Sequence, residues 1–427
     1  MTLSRAAAPS SLDAEDLDHI CINTIRAVAV DAVERANSGH PGMPMGAAPM
    51  AYVLWTRFLR HNPRNPGWPD RDRFVLSAGH ASMLLYALLH LTGYDVPLDE
   101  LKRFRRWGSR TPGHPEHGLT PGVETTTGPL GQGFGNAVGM AMGERVLASR
   151  FNRPGLEVVD HHTYVICSDG DMMEGVASEA ASLAGHLGLG KLICLYDDND
   201  ISIDGPTDLS FTEDVGRRFE AYRWHVGHVT NGNDLGNLEA AVAEARDETE
   251  RPSLIVVRTH IGFGAPSKQD SAEAHGAPLG ADEVRAWKER IGWTGHEFSI
   301  PEAALHRFRE ALDRGAELEE GWRRLFERWA AAEPALAAEW DRVMAGGLPP
   351  AWEQDLPDFQ GQTMLSTRKA SGKVLAALAP RLRELVGGSA DLTESTNVRL
   401  PDETPFSRER AGRSIHFGYV STAWEPS

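Results

Sequence analysis

The chain reads as an α/β protein built on a parallel sheet, followed by the start of a second α/β unit. Three observations predict this. Thr163–Cys167 and Lys191–Tyr196 are short apolar runs of strand length, joined by a stretch long enough for one helix. Such a pair is a βαβ unit with neighbouring parallel strands. Asp72–Ser77 and Pro252–Thr259 are further buried-strand runs, each followed by a glycine-bearing loop. After a stretch broken by glycine and proline, Ala345–Gly361, the alternation of helix and strand begins again.

Taken in order, Leu17–Arg35 carries Ile20, Ile25, Val28, Val30 and Val33 at roughly helical spacing and stops at Asn37-Ser38-Gly39-His40-Pro41-Gly42. Met45–Leu59 is again helix-like and apolar. The strand Asp72–Ser77 meets a helix, Met83–Leu91, across Ala78-Gly79-His80-Ala81-Ser82. Thr125–Gly135 is a glycine-rich turn that opens a helix of small residues. From Pro301 to Met344 the chain is charged and helical, dense in Glu, Arg, Ala and Trp. Beyond Ala345–Gly361, Thr367–Leu378 reads as a helix and Glu384–Val386 as a short strand that ends in Gly387-Gly388-Ser389-Ala390-Asp391. The expected domains are therefore 1–344, a linker 345–361, and an incomplete second unit, 362–418.

Ligands of parallel sheets sit beyond the carboxyl ends of the strands. Ser168-Asp169-Gly170-Asp171 leaves the first strand of the βαβ unit there, and Asp197-Asp198-Asn199-Asp200-Ile201 leaves the second. Asp-Gly and Asp-Asn-Asp also favour simple turns, but both on successive strand ends of one unit point to a site. An Asp carboxylate, an Asn carbonyl and a main-chain carbonyl suit a hard cation. Mg²⁺ takes about six oxygens and usually only one or two carboxylates beside substrate phosphates. Asp169, Asn199 and the carbonyl of Ile201 are the candidate ligands, and Gly170 lets a phosphate approach the backbone.

Composition narrows the partners. The 427 residues hold 60 acidic and 43 basic side chains, a net charge of −17. Nucleic acids and anionic membranes are bound through Lys and Arg, so neither is an expected partner. No apolar run of membrane-spanning length occurs, and the first residues lack the apolar core of a signal peptide. The three cysteines (Cys21, Cys167 and Cys194) form no disulfide framework or zinc spacing, which implies a reducing, cytoplasmic setting.

Four of the 17 histidines, His40, His80, His114 and His275, stand in loops beside glycine or proline. A lone loop histidine is most often structural. Glycine alongside lets a ligand reach the backbone while imidazole supplies a tunable donor or acceptor. If the four converge, they form a weakly basic cup for a sugar hydroxyl or a phosphate.

Long strings in the chain resemble one family, transketolase, a thiamine-diphosphate enzyme. They include Ser-Gly-His-Pro-Gly (38–42), Asp-Arg-Asp-Arg-Phe-Val-Leu-Ser (70–77), Thr-Pro-Gly-His-Pro-Glu (111–116) and Glu-Thr-Thr-Thr-Gly-Pro-Leu-Gly-Gln-Gly (124–133). Met-Met-Glu-Gly (172–175), Tyr-Asp-Asp-Asn (196–199) and Ile-Ser-Ile-Asp-Gly (201–205) continue the likeness, which runs from about Leu17 to Gly418. The resemblance implies transfer of a two-carbon ketol unit from a ketose phosphate to an aldose phosphate, with the cofactor as electron sink for a carbanion. It also implies a homodimer.

Carried over by resemblance, Asp169, Asn199 and Ile201 hold Mg²⁺, with Ca²⁺ or Mn²⁺ as substitutes. Gly170 and His80 contact the diphosphate, and Gly128, Pro129 and Leu130 line the thiamine. Glu174 belongs beside the cofactor at the contact between subunits, and Asp391 lies behind the cofactor pocket. His40, His114 and His275 surround the reacting sugar as catalytic residues, with His275 also at the cofactor. Arg368 and Ser395 bind the substrate phosphate, Arg368 with a geometry suited to two parallel hydrogen bonds.

The chain departs from the family's pattern in three places. Ser168 replaces the first glycine of the cofactor motif, and Ala272 stands where many relatives have histidine. After Ile415-His416-Phe417-Gly418 the family continues with Val-Arg-Glu, whose glutamate activates the cofactor; here Tyr419-Val420-Ser421-Thr422 follows. A one-base frame change after Gly418 could convert the tail to Val-Arg-Glu-His-Gly-Met-Gly-Ala, so 419–427 is expected to be an out-of-frame tail and the chain inactive alone. Dihydroxyacetone synthase, or a non-catalytic cofactor-binding fragment, are the alternative readings.

Overall fold

A computed structural model describes residues 14–361, 364–401 and 404–420. Its centre is a five-stranded sheet: β1 (Arg73–Leu76), β2 (Thr163–Ser168), β3 (Leu192–Asp198), β4 (His225–Val229) and β5 (Ser253–Arg258). The spatial order is β1-β2-β3-β5-β4 and every pairing is parallel. All five carboxyl ends therefore open on one side. Ser168 of β2 lies opposite Asp197 of β3, so the chains that follow leave the sheet at nearly the same level.

Side chains alternate across each strand, and both faces are covered, as in parallel sheets generally. On one face Phe74, Leu76, Tyr164, Ile166, Ile193, Leu195, Ile255 and Val257 are buried with Ile25, Val28 and Ala29 of the helix Ala14–Ala36 and with the helices Gly42–Val53 and Ser82–Thr92. On the other, Val75, Val165, Cys167, Cys194 and Leu254 meet Phe134, Ala137 and Val138 of the helix Gln132–Phe151 and the alanines of Gly175–Leu187. Each fully buried aliphatic side chain of this kind contributes about 1.5–3 kcal/mol. The small residues of Gly175–Leu187 serve close approach: a Cβ on Gly185 would fall 1.8 Å from the Tyr222 carbonyl oxygen. All three cysteines are free and buried.

Most elements coincide with the sequence reading. The helix expected over Met45–Leu59 ends at Val53 and continues as a wider π-type turn, Leu54–Phe58. Strand β4 has no counterpart in the sequence reading; its run His-Val-Gly-His-Val lacks an apolar stretch, and pairing with β5 imposes its conformation. The charged stretch forms two helices, Glu302–Ala332 and Pro334–Met344, whose Trp329 and Trp340 cluster with Phe151.

The second unit holds the helix Thr367–Leu378 and a two-stranded parallel sheet, β6 (Gly387–Ser389) with β7 (Ser414–His416). The strand expected over Glu384–Val386 thus lies three residues later. Glu384 is instead drawn into ion pairs with Arg342, at 2.6 Å, and Arg150, at 3.8 Å. Phe406 and Ile415 complete the apolar layer beneath Gln132–Phe151. Tyr419 and Val420 are described and half-buried or exposed; the rest of the expected out-of-frame tail lies outside the described residues.

Candidate functional site

Three neighbouring strand ends carry the chemistry. His80 follows β1, Asp169 begins the short helix Asp169–Met173 after β2, and Asn199 follows β3. Asp169 is buried. Its Oδ1 accepts the Tyr196 hydroxyl at 2.5 Å and its Oδ2 the main-chain N–H of Asn199 at 3.3 Å. Burial, aided by the nearby Asp197 and Asp198, pushes this carboxyl up to about 7 against the lowering effect of the hydrogen bonds from Tyr196 and the Asn199 N–H. The Asn199 amide is fixed in orientation. Nδ2 donates to Asp197 Oδ2 at 2.8 Å, and Oδ1 accepts the Ile201 N–H at 3.1 Å. Asp197 Oδ1 in turn accepts the Thr259 hydroxyl at 2.5 Å, which ties the end of β3 to that of β5.

The imidazoles converge. His40 and His80 have ring centroids 5.0 Å apart, His40 and His275 5.8 Å, and His80 stacks on His275 at 5.3 Å. Burial lowers all three, His40 to about 4 and His80 to about 3, and neighbouring imidazoles add to the shift of both. They are neutral at pH 7, each able to donate one proton and accept another. His40 Nδ1 and His275 Nδ1 are buried with no hydrogen-bond partner among the described residues, as is Thr127 Oγ1. A Cβ built on Gly276 would lie 3.3 Å from the His40 ring and 3.6 Å from Ile203 Cδ1, so the His275 loop packs against the segment that follows Asn199.

The glycine-rich loop closes the cleft. Gly128 lies beneath the His114 ring, with 3.5 Å between a Cβ built on it and His114 Cγ. Leu130 presses on Gly170, where a Cβ would come within 2.9 Å of its Cδ1, and a Cβ on Gly79 would meet Thr127 Oγ1 at 2.6 Å. Gly131 takes φ +76°, with Glu174 Cβ 2.8 Å from where a side chain would start. Pro129 and Glu174 are exposed. Ser168, where glycine was expected, is unstrained at φ −133° and forms a reciprocal cap with Asp171.

The second-unit residues gather elsewhere. Arg368 Nη1 lies 3.4 Å from the Ser395 carbonyl. Ser395 and Asp391 line a cavity of about 570 Å³ with Glu394, Arg399 and His416, and none of the four loop histidines borders it. Sequence reasoning missed Tyr196, Thr127 and Asp171. The Ser168…Asp171 spacing of a capping box was a readable signal for the last.

A parallel sheet with catalytic-type side chains gathered on loops at its carboxyl ends defines an α/β protein that takes a small ligand at that side. The sequence matches the family described as transketolase, thiamine diphosphate binding domain, over residues 17–349. The chain belongs to that family. It is 55% identical over 404 residues to a transketolase of Halalkalibacterium halodurans, covering 94% of this chain and 60% of that protein. Against transketolase 2 of Escherichia coli the identity is 53% over 401 residues, with 93% and 60% covered. Among solved structures, a Pichia stipitis transketolase in complex with sedoheptulose-7-phosphate superposes with a TM-score of 0.91 at 43% identity, covering 94% of this chain and 60% of that one. The Leishmania mexicana transketolase gives 0.91 at 48% identity, with the same coverage. The chain thus spans about 60% of the length of the relatives it matches. No helix of the described residues is long and apolar enough to cross a membrane.

Proposed function

We propose that this chain provides the diphosphate-binding part of a transketolase, which moves a two-carbon ketol unit from a ketose phosphate to an aldose phosphate. The observation that carries the reading is the meeting of His40, His80 and His275, within 5.0–5.8 Å of one another, at the same edge of the sheet as the Asp169–Asn199 pair. Residues 1–344 form the binding domain in this reading, 345–361 a linker, and 362–418 part of the pyrimidine-binding domain. Its setting is cytoplasmic, and its working form a homodimer.

The residues fit thiamine diphosphate with a divalent cation. Asp169, the oriented Oδ1 of Asn199 and the Ile201 carbonyl are an all-oxygen donor set of the kind Mg²⁺ takes. Among the described residues no cluster of three or more His, Cys, Asp or Glu is arranged for a metal. A set with a single carboxylate leaves the remaining positions to phosphate oxygens and water. Gly170 and His80 would meet the diphosphate, Gly128, Pro129 and Leu130 the thiamine, and Glu174 the partner subunit. When bound, thiamine diphosphate supplies an electron sink for the two-carbon fragment. The neutral imidazoles of His40, His114 and His275 would hold the sugar hydroxyls and carry protons to and from them. Arg368 and Ser395 would bind the distal phosphate, and Asp391 would support the cofactor pocket.

Calorimetric titration of the chain with thiamine diphosphate, with and without Mg²⁺, tests the reading. Binding that requires the metal is expected, and metal-independent or absent binding refutes it.

A further inference from the structure

The carboxylate of Asp171 is fully buried and fastens three loops together. Oδ1 accepts the Ser77 hydroxyl at 2.7 Å and the Gly131 N–H at 2.8 Å, while Oδ2 accepts the Ser168 N–H at 3.0 Å. The Ser77 oxygen accepts in turn the Phe134 N–H at 3.0 Å. Each segment held in this way carries a residue of the cleft. Ser77 precedes Gly79-His80, Ser168 precedes Asp169-Gly170, and Gly131 follows Gly128-Pro129-Leu130. The sheet fixes the first two segments. The glycine-rich loop belongs to no strand; the Thr127 N–H, donated to the Pro115 carbonyl at 3.1 Å, anchors its start, and the place of the rest depends on Asp171 and on the tight fits at Gly79, Gly133 and Gly170.

We propose that Asp171 is a positioning residue for the cofactor: its carboxyl group, through the hydrogen bonds to Ser77, Gly131 and Ser168, holds the loop 127–131 in the shape that receives thiamine diphosphate. The proposal rests on the cofactor reading above. Three donors and no acceptor face this side chain, an arrangement that only an ionised carboxylate satisfies. Asparagine must turn its NH₂ toward one of those donors and leave it unpaired. Charge-assisted hydrogen bonds are also about twice as strong as neutral ones. A loop that is correctly formed only part of the time lowers the apparent affinity by that fraction, with every contacting atom still present.

The test compares the full chain with its Asp171→Asn and Ser77→Ala variants, by amide hydrogen exchange without ligand and by calorimetric affinity for thiamine diphosphate with Mg²⁺. In Asp171→Asn, exchange over 126–134 should quicken and affinity fall by about tenfold or more, while β3 exchanges as in the parent. Ser77→Ala should move both in the same direction by less. Unchanged exchange over 126–134 in both variants overturns the proposal. So does equal quickening in the loop and in β3, which marks general destabilisation, or a loosened loop with full affinity. If Asp171→Asn does not fold, Ser77→Ala decides by the same criteria. A parent chain that binds no thiamine diphosphate overturns the cofactor reading and the proposal together, whereas variants that bind as well as a binding parent overturn the proposal alone.

Discussion

Asp169 and Asn199 stand 30 residues apart in sequence and one strand apart in space, with the Asn199 N–H directed at Asp169 Oδ2 over 3.3 Å. The other carboxylate oxygen is held by the Tyr196 hydroxyl. The carboxylate is thus aimed before any ligand arrives.

That aim makes the first prediction. Asp169→Ala should abolish Mg²⁺-dependent binding of thiamine diphosphate and leave the far-ultraviolet circular dichroism unchanged. Tyr196→Phe removes only the orienting hydroxyl and should weaken binding about 10- to 100-fold, the usual cost of losing a partner of a metal ligand. Unaltered metal dependence in Asp169→Ala would dispose of the metal assignment.

The second concerns Gly131. Its left-handed conformation disfavours any side chain, and a Cβ would press on Glu174. Gly131→Ala should destabilise the protein by about 1–2 kcal/mol from the backbone alone. Thermal unfolding would show a midpoint lowered by a few degrees, and an unchanged midpoint would contradict the described turn.

Acid stability gives the third. His61 is buried against Tyr94, its Nδ1 3.0 Å from the hydroxyl, and burial lowers it to about 3, helped by Arg314. Above pH 6.5 it is neutral both folded and unfolded and does not affect the pH dependence. Below 6.5 the unfolded chain takes up a proton that the folded one refuses, so stability falls with pH down to about 3. His61→Phe lacks this loss. The stability of the parent relative to the variant should drop by about 2 kcal/mol between pH 7 and pH 5 in urea titrations, at about 1.4 kcal/mol per unit below 6.5. A constant difference would mean that His61 titrates normally.

A fourth applies to a protein of the relatives' full length. Arg368 is exposed and lies beside Ser395. Arg368→Ala should raise KM for phosphorylated donors by roughly 10- to 150-fold, the worth of a hydrogen bond to a charged group, and barely affect an unphosphorylated donor. Steady-state kinetics with both donors decide it; equal losses remove Arg368 from the phosphate site.

Much of this was legible in the sequence because β1, β2, β3 and β5 are buried on both faces and therefore read as unbroken apolar runs. The acidic turns after β2 and β3 stood out for the same reason. β4 was illegible because its hydrogen-bonding partner, and no pattern of its own, makes it a strand. The β6 strand was displaced because Gly387 and Gly388 resemble a turn, while Glu384 has a better use in ion pairs. Convergence of the histidines came only from the family resemblance and not from spacing, since His40 and His275 meet through the packing of Gly42 on the Ala274 carbonyl and of Gly276 on His40. Asp171 looked like one more acidic turn residue, and its Ser77 partner lies 94 positions away.

The strand order has one more consequence. β1 and β4, at four and five residues the shortest strands of the five-stranded sheet, form its margins. Fraying from either margin must consume a whole strand before it reaches the roots of Asp169 and Asn199, which hang from strands laddered on both sides. His80 hangs from a margin. The cleft therefore has a stiff wall, where the cation ligands would sit, and a more yielding edge at His80, whereas the His275 loop follows β5, which is laddered on both sides by β3 and β4.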